Sequence, residues 1–138
     1  MDFINDAKAQ AMGLSAGRVA LGVSAFLAPE LTARLFGFPK ADLNASTLTM
    51  TRLFAVREIA IGTASLLWLS RHEPTRTFVA LNLVVDGGDA ISTIVGLASR
   101  RGGARANALN LLIAASVAMT WARMLLSLGE SEAETAPA

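Results

Sequence analysis

Five ionisable side chains lie in stretches that are otherwise close to hydrocarbon in character. Arg18, the adjacent pair Arg57 and Glu58, and the pair Asp86 and Asp89 each sit near the middle of a long apolar run. A charge at the centre of a membrane helix costs roughly 2.5–3.5 kcal/mol on insertion scales. Residues kept at that cost face the protein interior, pair with one another and mark functional sites. The types are those of acid–base chemistry. A carboxyl group can give or take a proton, and arginine, always protonated, can grip carboxylates with two parallel bonds and stabilise developing negative charge.

Spacing places these groups together. At about 1.5 Å rise per residue, the five fall within a few ångström of one depth. Asn82, Asp86, Asp89 and Thr93 follow i, i+4, i+7, i+11 spacing and make a polar stripe on one helix. Thr51, Glu58, Gly62 and Ser65 share a face in the same way, as do Ser15, Arg18, Gly22 and Ala25. Glu58, Asp86 and Asp89 are the candidate catalytic acids, and Arg18, Arg57 and Asn82 the candidate substrate-binding residues. Arg57 is expected to pair with an acid of the third run. Two arginines against three carboxylates leave one acid without its own cation, and such a group can carry a proton. Arg52, nearer a helix end, is a further candidate cation. The competing structural reading is an ion-pair staple that fixes helix register; it needs one pair, whereas five groups share this depth.

The elements that must carry these residues are four apolar spans, at residues 10–28, 47–69, 75–98 and 104–126. Each has about the 20 residues that cross a hydrocarbon core. Pro29 stops the first, and residues 30–38 form an amphipathic interfacial segment. Pro74 suits the start of the third span, and Arg100, Arg101, Gly102 and Gly103 make a basic turn before the fourth. Gly129 ends the fourth. The chain is read as one all-α domain over residues 1–128, a four-helix transmembrane bundle running up-down-up-down, with an acidic, disordered tail at 129–138. A soluble, very apolar helical bundle is the structural alternative. Trp68 and Trp121 fall on the terminal side, as an interfacial belt or as ordinary packing residues. Loop arginines and Lys40 favour both termini outside.

Composition narrows the function classes. Hydrophobic residues make up 53% and charged residues 17%, well below the roughly 25% of ordinary soluble domains. The net charge of +1 supplies no field for nucleic acid. There is no cysteine, which removes disulfides, thiolate catalysis, iron–sulfur clusters and cysteine zinc sites. Asp86 and Asp89 with Glu58 resemble a Mg²⁺ site, but neighbouring arginines compete for the same oxygens. His72, the only histidine, falls in a turn. No metal or cofactor is implied. Gly87 and Gly88, between the aspartates, allow a close approach or a break in the helix. Gly13 and Gly17 have the GxxxG spacing of packed membrane helices.

The order Gly17-Arg18 with Gly22, Pro29 before Leu35-Phe36-Gly37, Arg52 before Arg57-Glu58 and Gly62, then Asp86 and Asp89 resembles small bacterial and fungal four-helix membrane proteins of the DoxX-like group. The resemblance covers about residues 13–126. It implies the four-helix membrane fold and gives the charged positions weight. Some members are associated with quinone-linked redox complexes, and many have no assigned activity. This chain lacks cysteine and any haem-ligand pattern.

The resulting expectation is an integral membrane protein, in a bacterium placed in the cytoplasmic membrane. Its occluded site would bind a small lipophilic ligand and perform isomerisation, cyclisation or ring opening on it. The alternatives are a proton-coupled transporter and an accessory or structural subunit. The bilayer, the ligand, and a homo-oligomer or membrane-complex partner are the expected contacts.

Overall fold

The computed structural model describes residues 2–99 and 103–135. The described residues are helical with no strand, in the order α1 (Asp2–Leu27), α2 (Pro29–Leu35), a 3-10 turn at Lys40–Asp42, α3 (Ala45–Leu69), α4 (Arg76–Ala98) and α5 (Ala104–Thr135). Local chemistry sets the boundaries. Pro29, lacking an amide hydrogen, occupies the first position of α2. Asn44 caps α3 by accepting a hydrogen bond from the Thr47 amide at 3.0 Å, and Thr75 caps α4 by accepting from the Phe78 amide at 3.2 Å. Gly129 does not end α5, which continues to Thr135 and takes in the start of the expected tail. Arg100, Arg101 and Gly102 of the expected basic turn lie outside the described residues, as do residues 136–138.

The long helices associate as two tight pairs. α1 packs along α3, and α4 along α5. Glycine makes the first pair close. A methyl group on Gly22 would stand 2.7 Å from the Ala55 carbonyl oxygen, and one on Gly62 would stand 2.8 Å from that of Ser15. These contacts run α1 antiparallel to α3. In the second pair, Gly96 faces Asn107 and Gly129 faces Arg76, which again requires antiparallel helices. Gly13 and Gly17 have the GxxxG spacing, yet nothing lies within 4 Å of a methyl group on either. The same holds for Gly87 and Gly88, and α4 passes through them unbroken.

Bulk is distributed in the reverse of a water-soluble core. The buried apolar residues are mostly alanines, among them Ala7, Ala11, Ala25, Ala55 and Ala106. Large side chains point outward on every long helix: Leu27 is 76% exposed, Val84 71% and Leu126 70%. One apolar cluster joins the pairs at the end holding the chain termini, where Ala7 and Ala11 of α1 meet Leu69, Val79, Trp121 and Met124. Trp121 is fully buried there, so no interfacial belt forms from it; Trp68 is exposed and stacks on His72 at 4.4 Å between ring centroids. Two helical segments, Arg76–Ala98 and Ala104–Glu130, are long and apolar enough to cross a membrane. In the two remaining long helices, Arg18 in α1 and Arg52, Arg57 and Glu58 in α3 lower the mean hydropathy.

Candidate functional site

The α1–α3 face buries Ser15, Arg18 and Gly22 against Glu58, Gly62 and Ser65. These are the one-sided stripes expected of 3.6-residue periodicity. Because Gly62 lets α1 approach, the Arg18 side chain enters the bundle at the level of Glu58. From there it reaches across to α4. Arg18 Nη1 donates to Glu58 Oε2 at 3.0 Å, and Nη2 donates to Asp86 Oδ2 at 2.5 Å.

Arg57 closes a second grip on the same glutamate. Its Nε and Nη2 donate to Glu58 Oε1 at 3.2 and 3.0 Å. Its Nη1 and Nη2 also donate to Asp89, at 3.1 Å to Oδ1 and 2.5 Å to Oδ2. All five sequence-selected ionisable groups therefore join one alternating chain: Asp86, Arg18, Glu58, Arg57, Asp89. The acid of α4 that pairs with Arg57 is Asp89, and Asp86 belongs to Arg18. Burial falls along the chain. The side chains of Arg18 and Glu58 are 6% and 5% exposed, while those of Arg57 and Asp89 are 41% and 32% exposed.

The acids differ in free capacity. Both oxygens of Glu58 and both of Asp89 accept from arginine. Asp86 has only Oδ2 held by an arginine, and the Trp121 indole stands beside the same carboxylate. Asp86 lines a cavity of about 480 Å³ that lies between the two helix pairs. Arg18, Glu58 and Asp89 also line it, opposite Leu14 and Ile113. Gly13 and Gly17 form part of its wall, so their missing side chains provide space within the bundle. A volume of this size suits a small organic molecule.

Two predicted site residues stand elsewhere. Asn82 is buried one turn before Asp86, donates to the Phe78 carbonyl at 3.0 Å and does not line the central cavity. Arg52 is exposed beside Arg34 and Leu48 and takes no part in the ion chain. Around Asp86 the packing leaves Arg18 Nε and Asn82 Oδ1 buried without hydrogen bonds among the described residues, and the Trp121 indole makes only a loose approach to the Asp86 carboxylate. Two of the lining residues that sequence reasoning did not assign to the site are aromatic. Phe54 lies one turn before Glu58 and lines the cavity, as does Phe36 at the end of α2. The i−4 position of Phe54 relative to Glu58 was the available signal; Phe36 had none.

An all-α chain with two membrane-length apolar helices and a buried layer of paired charges is the class that this geometry defines. The chain belongs to the family described as Domain of unknown function (DUF4267), whose model matches residues 15–126. The match spans the whole charged layer and is not specific to the DoxX-like group. No curated protein and no solved structure matches the chain.

Proposed function

We propose that α1, α3, α4 and α5 form an up-down-up-down transmembrane bundle whose charged layer binds a small lipophilic molecule and performs acid–base chemistry on it. One observation carries this reading: the ion chain borders a cavity, and Asp86, the acid held by a single arginine, lines it. A pure staple would bury both ends of its pairs against packed side chains. Outward-facing leucines and valines on all four long helices support the bilayer as solvent, since contiguous exposed apolar surface of that extent marks contact with lipid or a partner.

Within this reading Asp86 takes or gives the proton. Arg18 orients it and stabilises negative charge that develops beside it. Glu58 sets the spacing of the two arginines rather than transferring a proton, because both its oxygens are held. Isomerisation, cyclisation and ring opening fit, as each needs a positioned acid and a counter-charge.

Two measurements test the reading. Asn5→Cys and Glu134→Cys, introduced singly into this cysteine-free chain, should label with an impermeant thiol reagent from the same side of the membrane. Labelling from opposite sides overturns the four-span bundle. Native mass spectrometry of the detergent-purified protein should detect a retained small molecule that Asp86→Asn loses without a lower melting temperature. If Asp86→Asn instead lowers the melting temperature and leaves retention in proportion to folded protein, the staple reading replaces this one.

A further inference from the structure

A second cavity, of about 530 Å³, lies between α2 and α3. Ala33, Phe38, Thr47, Met50 and Thr51 contribute to its wall, and no charged side chain among the described residues does. Phe36, Phe54 and Asn110 belong to the walls of both cavities. Two phenyl rings and one amide thus form the boundary between a charged chamber and an apolar one.

Both rings are held from behind. Phe36 ends α2, and the next residue, Gly37, turns the chain at a φ of 88° against the start of α5. A side chain at Gly37 would approach the Ala106 Cα to 3.1 Å, so only glycine allows this seat. The Phe54 ring carries the Arg57 guanidinium 5.3 Å from its centroid, which ties the boundary to the ion chain.

Three of the uncharged polar groups lining the charged chamber share a bias. Ser92 donates its hydroxyl hydrogen to the Gly88 carbonyl, and Thr93 donates its own to that of Asp89. Asn110 donates from Nδ2 to the Ala106 carbonyl. Both hydroxyl hydrogens and one of the two Asn110 amide hydrogens are spent within their own helices, and acceptor oxygens remain for the chamber. Asp86, 7% exposed, adds a carboxylate held by one arginine only. Three carboxylates against two guanidiniums leave the layer negative by one charge.

We propose that the ligand is a lipophilic amine. Its protonated nitrogen donates to Asp86 and the neighbouring acceptors and neutralises the layer. Its apolar body passes between Phe36 and Phe54 into the second cavity. This rests on the charged layer being a ligand site.

The test is a titration of the full-length protein in lipid nanodiscs with n-alkylamines from butylamine to decylamine, and with decanoate as the anionic control. One-to-one adducts are counted by native mass spectrometry against empty nanodiscs. Affinity should rise at least about tenfold from butylamine to decylamine as methylenes enter the apolar chamber. Decanoate should bind more weakly than decylamine. Thr51→Trp, which adds bulk in the second cavity alone, should abolish the gain with length and leave butylamine binding intact. Gly17→Leu, placed where a methyl group meets open space, should remove binding of every amine. Decanoate binding as tightly as decylamine overturns the choice of a cation. A gain with length that is absent, or that survives Thr51→Trp, overturns the two-chamber route. Amine binding that survives Gly17→Leu lies outside the chamber and overturns the proposal. None of these outcomes alters the retained-molecule test of Asp86→Asn, on which the ligand-site reading stands separately.

Discussion

Two regions of the molecule use small residues in opposite ways. At the end holding the termini, Ala7 and Ala11 let Leu69, Val79 and Trp121 close over them, and the bundle is sealed. Between that end and Arg18, Gly13 and Gly17 bring no neighbour closer and line the first cavity instead. The alternating ion chain borders that cavity. Small residues at helical spacing are therefore not by themselves a packing signal. What decides is whether the facing helix presents backbone, as Ala55 and Ser15 do to Gly22 and Gly62, or a cavity.

That contrast can be broken most severely at the charged layer. Arg18→Ala leaves Glu58 and Asp86 facing each other without their shared cation, and loss of one partner of a buried pair costs about 3–5 kcal/mol. Thermal unfolding in detergent should show the largest fall of any single variant. A melting temperature within a degree or so of the native chain would mean that water reaches the layer freely. At the sealed end, Trp121→Ala removes a fully buried indole and should cost about 3 kcal/mol. An equal loss from Phe54→Ala in the cavity wall would erase the distinction between the two regions.

The glycines sharpen the comparison. Gly62→Val forces a side chain against the Ser15 carbonyl and Val19, and overpacking of this kind costs about 1–3 kcal/mol. Gly13→Ala, facing open space, should leave stability unchanged or raise it by up to about 1 kcal/mol through helix propensity. Comparable destabilisation by both would show that the chamber wall is packed. The smallest effect belongs to the half-exposed end of the ion chain. A double-mutant cycle on Arg57 and Asp89 should return a coupling of about 0.2–1 kcal/mol, the range of accessible pairs. The Arg57 and Asp86 cycle should return less, and the reverse ranking would contradict the observed pairing.

Much of the site was legible in the sequence because helical geometry is nearly invariant. A constant rise put Arg18, Glu58 and Asp86 at one depth, and a constant turn put each on the face that also carries Ser15, Ser65 or Asn82. Pro29, Asn44 and Thr75 mark starts that local chemistry dictates. What the sequence did not disclose depends on which helix faces which. The partition of Asp86 to Arg18 and Asp89 to Arg57 follows from a helix packing that no single-helix periodicity encodes. The two glycine motifs could not be ranked for the same reason: Gly13 and Gly17 match a motif, whereas Gly22 and Gly62 meet a neighbour. Trp121 is amphipathic enough for an interface or a core, and only its position opposite Ala7 and Ala11 decides. Gly129 is a helix terminator by propensity alone, and α5 overrides it.

The odd charge of the layer has an electrical consequence. Asp86 lies near the midpoint of α4, so in a membrane-spanning bundle it sits about halfway through the transmembrane field. Any proton or cation that neutralises the layer from one side moves a unit charge across about half of that field. A full crossing is worth about 2.3 kcal/mol per 100 mV, so half a crossing is worth roughly 1.2 kcal/mol. That is enough to change occupancy about sevenfold, in a direction set by the side from which the charge enters. If the proposed membrane-spanning ligand site holds, polarising a vesicle would load or empty it without any change in solution composition.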